Sequence, residues 1–287
     1  MHTYIKSMKL IIIAIILPFN LNAHTLFFES FVEQGDYYVG NAFGKRNYQK
    51  HANVHLESFF IMQKEVTYSL YQHVSDWGDH NGYLISHSCN GAKDKDCLPS
   101  EMDYGLHPVT HIRWLDTIIF ANALSEMLKL EPVYRMENGE PLRAGEVNST
   151  IYVNSKATGY RLPDLHEWQV AARGGKPALK LNTYGDIHSG SVDAQKVAWY
   201  PKYDTPHYGT QIVGQLSPNA LGIFDMSGNV SEWVFDSYKP GNTIMYYFCG
   251  GSYLYHATTL ANCDSHSTGM AMPDIGFRLV RNSALEK

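Results

Sequence analysis

A single large domain that mixes short strands and a few helices with long ordered loops is what the sequence predicts, and three observations predict it. The chain has 287 residues, 44% of them hydrophobic, enough to bury a sizeable core in one unit. Apolar residues recur with strand alternation in some windows and helical spacing in others, but each window is short. From Lys176 onward Gly, Asn, Pro and Tyr are frequent and periodicity fades, with no internal repeat, low-complexity tract or linker. Long loops in a compact domain normally need a tie such as a disulfide or a metal.

The elements follow in order. Lys6 and Lys9 precede the apolar run Leu10 to Leu17, Pro18 breaks it, and Ala23 offers a small residue for cleavage. That is the pattern of a secretory signal peptide, here residues 1–23, with the mature domain at 24–287. The run is too short to span a bilayer comfortably, so export to the periplasm or beyond is expected, without stable membrane insertion. Asn53 to Phe59 alternates, with Val54 and Leu56 on one face. Leu70, Val74 and Trp77 recur at helical spacing. Residues 78–106 are polar and read as a long loop, and Pro108 to Trp114 as a strand or turn. Asp116 to Leu130 reads as a helix carrying Ile118, Ile119, Ala123, Met127 and Leu130. Tyr134 to Asn154 suits a hairpin. Pro163 opens a further helix with Trp168, Val170 and Ala171 inward, and Arg173-Gly174-Gly175 ends it.

Charge narrows the partners. The formal net charge is −5 with no basic run, which favours neither nucleic acid nor an anionic membrane. Only 18% of residues are charged and 20 are Tyr, a composition that suits an extracellular contact surface. In an oxidising compartment the four cysteines read as disulfides. Local pairing would join Cys89 to Cys97 and Cys249 to Cys263; free thiols or metal ligands are the alternatives, and no C-x-x-C zinc spacing occurs.

Several blocks then carry a resemblance. Lys64-Glu65-Val66-Thr67, Pro108 to Trp114, Gly159 to Pro163 with Glu167-Trp168, Asn219 to Trp233, Gly250-Gly251-Ser252-Tyr253 and Ile275 to Val280 occur in an order that resembles the formylglycine-generating enzyme, or sulfatase-modifying factor, family. The resemblance covers roughly residues 50 to 282. It implies a loop-rich α+β single domain related to C-type lectin domains. It also implies a structural calcium site with side-chain oxygens from Asp225 and Glu232 and main-chain oxygens from Gly228 and Val230, which suits a hard cation; Asn182 is a looser candidate for a second site.

The same resemblance places the family's copper-binding cysteines, which hold copper(I) through soft sulfur, at Tyr255 and Leu260. Copper is therefore not expected here. His51-x-x-x-His55-x-Glu57 also resembles the iron motif of related sulfoxide synthases, but the alternation reads as a strand, on which the two His would stand about 13 Å apart.

Three functions stay open. The first is an exported protein- or metabolite-maturation enzyme without the copper centre, working through Ser252, Tyr255 and His256. The second is a calcium-stabilised binding protein whose face comprises Tyr253, Tyr255, His256, Thr258, Asn262, Asp264 and His266, a palette of adaptable contacts. The third is a formylglycine-generating oxidase with an unusual centre. The ligand, whether a peptide or a small molecule, is not named by the sequence.

Overall fold

The structure, a computed structural model, describes residues 26–40, 51–92, 105–146, 150–201, 209–255 and 259–283. The expected signal peptide lies outside them. Strands β1 (Glu29–Val32), β2 (Gly35–Val39), β3 (Ala52–Leu56) and β4 (Phe59–Met62) precede helix α1 (Tyr68–Asp79). Next come β5 (Cys89–Asn90), β6 (Val109–Thr110) and helix α2 (Trp114–Met127). Then follow β7 (Tyr134–Arg135), β8 (Tyr152–Val153), β9 (Tyr160–Arg161) and helices α3 (Leu165–Ala172), α4 (Gly175–Leu181) and α5 (Ala194–Val197). The chain ends with β10 (Ala198–Trp199), β11 (Ser227–Gly228), β12 (Ser231–Tyr238), β13 (Met245–Cys249), β14 (Cys263–Ser267), β15 (Ile275–Gly276) and β16 (Val280–Asn282).

Two four-stranded sheets organise the fold, in the orders β1-β4-β16-β9 and β14-β13-β12-β15. In the first, the last strand of the chain inserts between β4 and β9, antiparallel to both. In the second, β12 pairs antiparallel with β13 and parallel with β15. The remaining strands are two-stranded ribbons, including β7–β8, the expected hairpin. β3 is a strand, as its alternation predicts, so His51 and His55 do not share a helix face. Among the described residues, no helix is long and apolar enough to cross a membrane.

Helix α2 is the centre of the larger core and differs in its bounds from the helix expected at 116–130. It starts at Trp114, where Arg113 is extended and its guanidinium grips Asp116 at 2.6 and 2.8 Å. It stops at Met127, because Lys129 turns left-handed (φ 61°). Trp114 through Ser125 are all buried. Its polar residues are therefore internal fasteners, since buried polar groups must be hydrogen-bonded. The Asn122 amide donates to the carbonyls of Tyr134 and Leu142 and accepts from Tyr134 N–H. Ser125 Oγ accepts from Tyr160 N–H at 2.7 Å. These contacts fix β7 and β9 on the helix. Trp114 donates to the carbonyl of Val234 and stacks on Tyr246, fixing the second sheet on the opposite side.

Helix α3 begins with a reciprocal cap: Asp164 Oδ1 accepts from Glu167 N–H, and Glu167 Oε2 accepts from Asp164 N–H. Arg161 holds Glu167 through two hydrogen bonds of 2.6 and 2.7 Å. Burial, then the Glu167 charge, pushes the Asp164 carboxyl up from 3.8 to about 7. A folded value above the unfolded one means that the native state binds this proton more tightly between about pH 4 and pH 7. The stability the proton confers is present at acid pH and is lost as pH rises through about 7. Asp164→Asn keeps a good cap acceptor without the charge. It is expected to gain on the order of 1–2 kcal/mol at pH 7.5 and nothing at pH 4, with partial exposure trimming the gain. Urea unfolding of both proteins at the two pH values checks this; equal gains at both would refute it.

Arg173-Gly174-Gly175 ends α3 as expected, yet α4 starts at once, which the sequence reading did not anticipate. Gly174 and Gly175 both take positive φ (86° and 53°), reversing the chain so that a helix restarts. Asn182 closes α4 as a left-handed cap on the surface (φ 58°).

Candidate functional site

The motif blocks meet at one place. Gly228 N–H donates to the Gly250 carbonyl and Tyr253 N–H to the Asn229 carbonyl, locking the 225–232 turn under the Gly250-Gly251-Ser252 segment. Gly228 sits at φ 81°, and a Cβ there would lie 2.2 Å from the Trp199 carbonyl oxygen. Only glycine fits.

From this base β13 and β14 run antiparallel with Cys249 opposite Cys263, and these two form the expected disulfide. Cys89 is itself disulfide-bonded; its expected partner Cys97 lies outside the described residues. The staple fixes β14 as one wall of a cavity of about 480 Å³. Asn262, Asp264 and His266 line it from the β14 side, Tyr255 from the Gly-Gly-Ser side, and Phe248, Met272, Asp274 and Ile275 from the floor and far wall. Tyr255 is 62% exposed, at the rim.

The structure thus brings together four members of the expected binding face: Tyr255, Asn262, Asp264 and His266. Two nearby candidates behave differently. Ser252 is fully buried; its hydroxyl donates to Asp274 Oδ2 at 2.6 Å and accepts from Leu254 N–H, so it braces the cavity wall and does not face the cavity. Tyr253 is 2% exposed and points inward with its hydroxyl toward the Pro273 carbonyl, which corrects its placement on the binding face. An irregular loop has no period from which to read facing. His256 and Thr258 lie outside the described residues. Met272, Asp274 and Ile275 were missed, although Ile275 opens the Gly-Phe-Arg block that signals the family.

The copper positions do not fit copper. Tyr255 is an exposed phenol, Leu260 is buried at 2% exposure, and the nearby sulfur of Cys263 is engaged with Cys249. A soft-metal site needs thiolates.

Behind the cavity lies a buried charge cluster. Arg278 is fully buried and donates from Nε to Glu232 Oε2 at 2.8 Å and from Nη2 to Glu232 Oε1 at 2.6 Å. It also reaches the carbonyls of Met62, Gln63 and Phe224. Glu232 Oε2 further accepts from Trp168 Nε1 at 2.8 Å. Glu65 accepts from Asn229 Nδ2 and Val230 N–H. Asp225 Oδ2 accepts from Gly214 N–H at 2.6 Å, whereas Asp225 Oδ1 is buried with no hydrogen-bond partner. Burial, chiefly, pushes the Asp225 carboxyl up to about 6. Burial, then the Asp225 and Glu232 charges, pushes Glu65 well above the usual range. Desolvation would lower the Arg278 guanidinium, but Glu232, Glu65 and Asp225 together raise it above its usual value.

For calcium, one observation points to Asp225, while both oxygens of the other expected carboxylate, Glu232, are committed to Arg278 and Trp168. The orphaned Asp225 oxygen sits in a region with three carboxylates and one guanidinium, and a cation would satisfy it. Among the described residues no group of three or more His, Cys, Asp or Glu side chains is arranged for a metal, so main-chain oxygens would have to take part.

Residues 22–283 match the Sulfatase-modifying factor enzyme 1-like domain. The chain belongs to the sulfatase-modifying factor family. It is 31% identical over 259 residues to the chaperone protein LppX of Paenibacillus barcinonensis, spanning 80% of this chain and 82% of LppX. It is 30% identical over 142 residues to the inactive C-alpha-formylglycine-generating enzyme 2 of Mus musculus, 45% of each chain. The crystal structure of CarF superposes with a TM-score of 0.83 at 50% identity, covering 90% of this chain and 99% of CarF. The formylglycine-generating-enzyme-type α+β fold is thus the fold of this sulfatase-modifying factor relative.

Proposed function

We propose that this family member is an exported, non-catalytic binding protein that holds a polypeptide partner at the cavity between Tyr255 and β14. One observation carries the reading: among the described residues, the expected catalytic hydroxyl and the nearby sulfurs are engaged within the fold. The Ser252 hydroxyl is committed to Asp274, the Cys249 and Cys263 sulfurs to each other, and the copper positions are Tyr255 and Leu260. What remains at the rim is a rigid aromatic anchor beside adaptable polar groups, the chemistry of a contact surface. The names of two relatives, a chaperone and an inactive enzyme, agree with it. The N-terminal pattern of Lys6, Lys9 and Leu10 to Leu17 supports secretion with cleavage near Ala23. The orphaned Asp225 oxygen supports a structural calcium at the turn holding Asp225, Gly228 and Val230.

The mature chain carrying a photo-crosslinker at Tyr255, expressed in its own cells, tests the partner. Capture of a defined polypeptide at Tyr255, but not at the exposed Lys180 on α4, is expected. Tyr255→Ala should weaken binding of that partner by about 2 kcal/mol, roughly thirtyfold. A covalent change in the captured polypeptide that depends on this chain would overturn the non-catalytic reading. It would favour a maturation enzyme using the exposed Tyr255 phenol with His256.

A further inference from the structure

β14 ends its sheet, so one side of it faces β13 and the other faces no strand among the described residues. Register says which main-chain groups lie on that second side. Cys249 and Cys263 are directly opposite, with their Cα atoms 4.2 Å apart, the close spacing of an antiparallel pair that exchanges no hydrogen bonds. The ladder alternates from there, so Asp264 and His266 bond to β13, while Ser265 and Ser267 turn their N–H groups outward. Two further contacts agree. Ser265 N–H donates to Asp264 Oδ1 at 2.8 Å, and Ser267 N–H to His266 Nδ1 at 3.1 Å; amides already bonded to β13 would not need these caps.

We propose that this edge is a strand-addition site: an extended segment of the polypeptide partner pairs along β14 about Ser265, and its carbonyls replace the Asp264 and His266 caps. The inference rests on the polypeptide reading above and deepens it by naming the conformation of the bound segment and the groups that hold it. The exchange is inexpensive because each amide trades one acceptor for another, and Asp264 is exposed, so its freed carboxylate returns to water. Until a partner arrives, the caps blunt an edge that would otherwise invite unwanted pairing. The edge is short: the Ser267 carbonyl already accepts from Met270 N–H at 3.2 Å, which ends it there.

The spacing of the donors selects the occupant. Outward N–H groups two residues apart on a strand recur about every 7 Å, the repeat at which an extended chain presents carbonyls on one side. A helix spends its carbonyls along its own axis and offers no such row. In strand addition the main chain supplies affinity, and pockets for alternate side chains supply selectivity. Such a pocket adjoins this edge: Cys263, Asp264, Ser265 and His266 line the cavity of about 480 Å³ together with Phe248 and Met272. Every second side chain of the added strand stands on the Asp264–His266 face, beside that cavity, and an apolar one matches Phe248 and Met272.

The segment crosslinked to Tyr255 in cells is made as a synthetic peptide and titrated into the full mature chain. At saturation, amide exchange at Ser265 and Ser267 is expected to slow at least about tenfold, while Asp264 and His266, already bonded to β13, change little. Ser265→Pro deletes the outward donor at a place where edge strands tolerate proline, and should weaken binding at least about tenfold, the loss of one or two main-chain hydrogen bonds. A second measurement needs no protein variant: single N-methyl groups walked along the peptide should weaken binding at every second position only. Peptide binding with unslowed Ser265 and Ser267 amides and no period of two in the N-methyl series would overturn the added strand and leave the polypeptide reading standing. Capture of no defined segment at Tyr255 would overturn both.

Discussion

Arg278→Met is expected to unfold in urea with a loss of at least about 3–5 kcal/mol, the cost of stripping one partner from a buried ion pair. The loss should fall at the upper end, because Arg278 serves more than Glu232: its Nη groups also satisfy the carbonyls of Met62, Gln63 and Phe224. Methionine fills much of the volume but takes a donor from three carbonyls and leaves Glu232 with Trp168 Nε1 alone. Arg278→Lys keeps the charge but cannot reproduce the planar fork, and should recover only part of the loss.

The pH dependence carries its own sign. Without the guanidinium, whose charge holds the Glu65 and Asp225 carboxyls down, their native pKa values rise further. Protonation then favours the native state, so the deficit of Arg278→Met relative to the parent should shrink as pH falls from 7 toward 5. A variant within about 1 kcal/mol of the parent at pH 7, or a deficit that grows on acidification, would show that the cluster is not held together by Arg278.

The second large effect concerns the staple. Replacing both Cys249 and Cys263 with alanine removes a crosslink spanning a sequence separation of 14. A loop of that size is worth about 3 kcal/mol, or roughly 6–12 °C in Tm for a domain of this size. The consequence should be local first. β14 is an edge strand held only by β13 in its sheet, so amide exchange should accelerate through Cys263–Ser267 well before it does in α2, which is buried on all sides. Because β14 carries Asp264 and His266, partner capture at Tyr255 should fall even at temperatures where α2 stays protected. Equal acceleration in both elements would mean that the disulfide stabilises the whole domain and not the cavity wall.

How much of this was legible depended on whether the signal was local. The β7–β8 ribbon, β3 and helices α1 to α3 follow from spacing and turn residues within one short window. The Cys249–Cys263 pairing follows from proximity. α4 was hidden because Gly174-Gly175 reads as a stop, and nothing local says that two consecutive positive-φ glycines also serve as a start. The full burial of α2 was hidden because Asp116, Asn122 and Ser125 look like solvent-facing positions until their partners at Arg113, Tyr134 and Tyr160 are known.

The cavity was half legible. Tyr255, Asn262, Asp264 and His266 come from one continuous stretch, whereas Phe248, Asp274 and Ile275 arrive from other strands and loops through tertiary contacts. Glu65 stood in plain view inside Lys64-Glu65-Val66-Thr67, but its hold on Asn229 and Val230 depends on a contact across more than 150 positions of sequence, which no period encodes.

The insertion of β16 between β4 and β9 bears on how the molecule is made. Residues 280–282 pair with residues 59–61 on one side and 160–161 on the other, so the first sheet has a gap at its centre until residues 280–282 are in place. A chain emerging from a ribosome therefore carries β4 and β9 as separate open edges until that strand arrives, and the slow, long-range pairing comes late. Closing this sheet is thus an event that no shorter stretch of the domain can complete by itself.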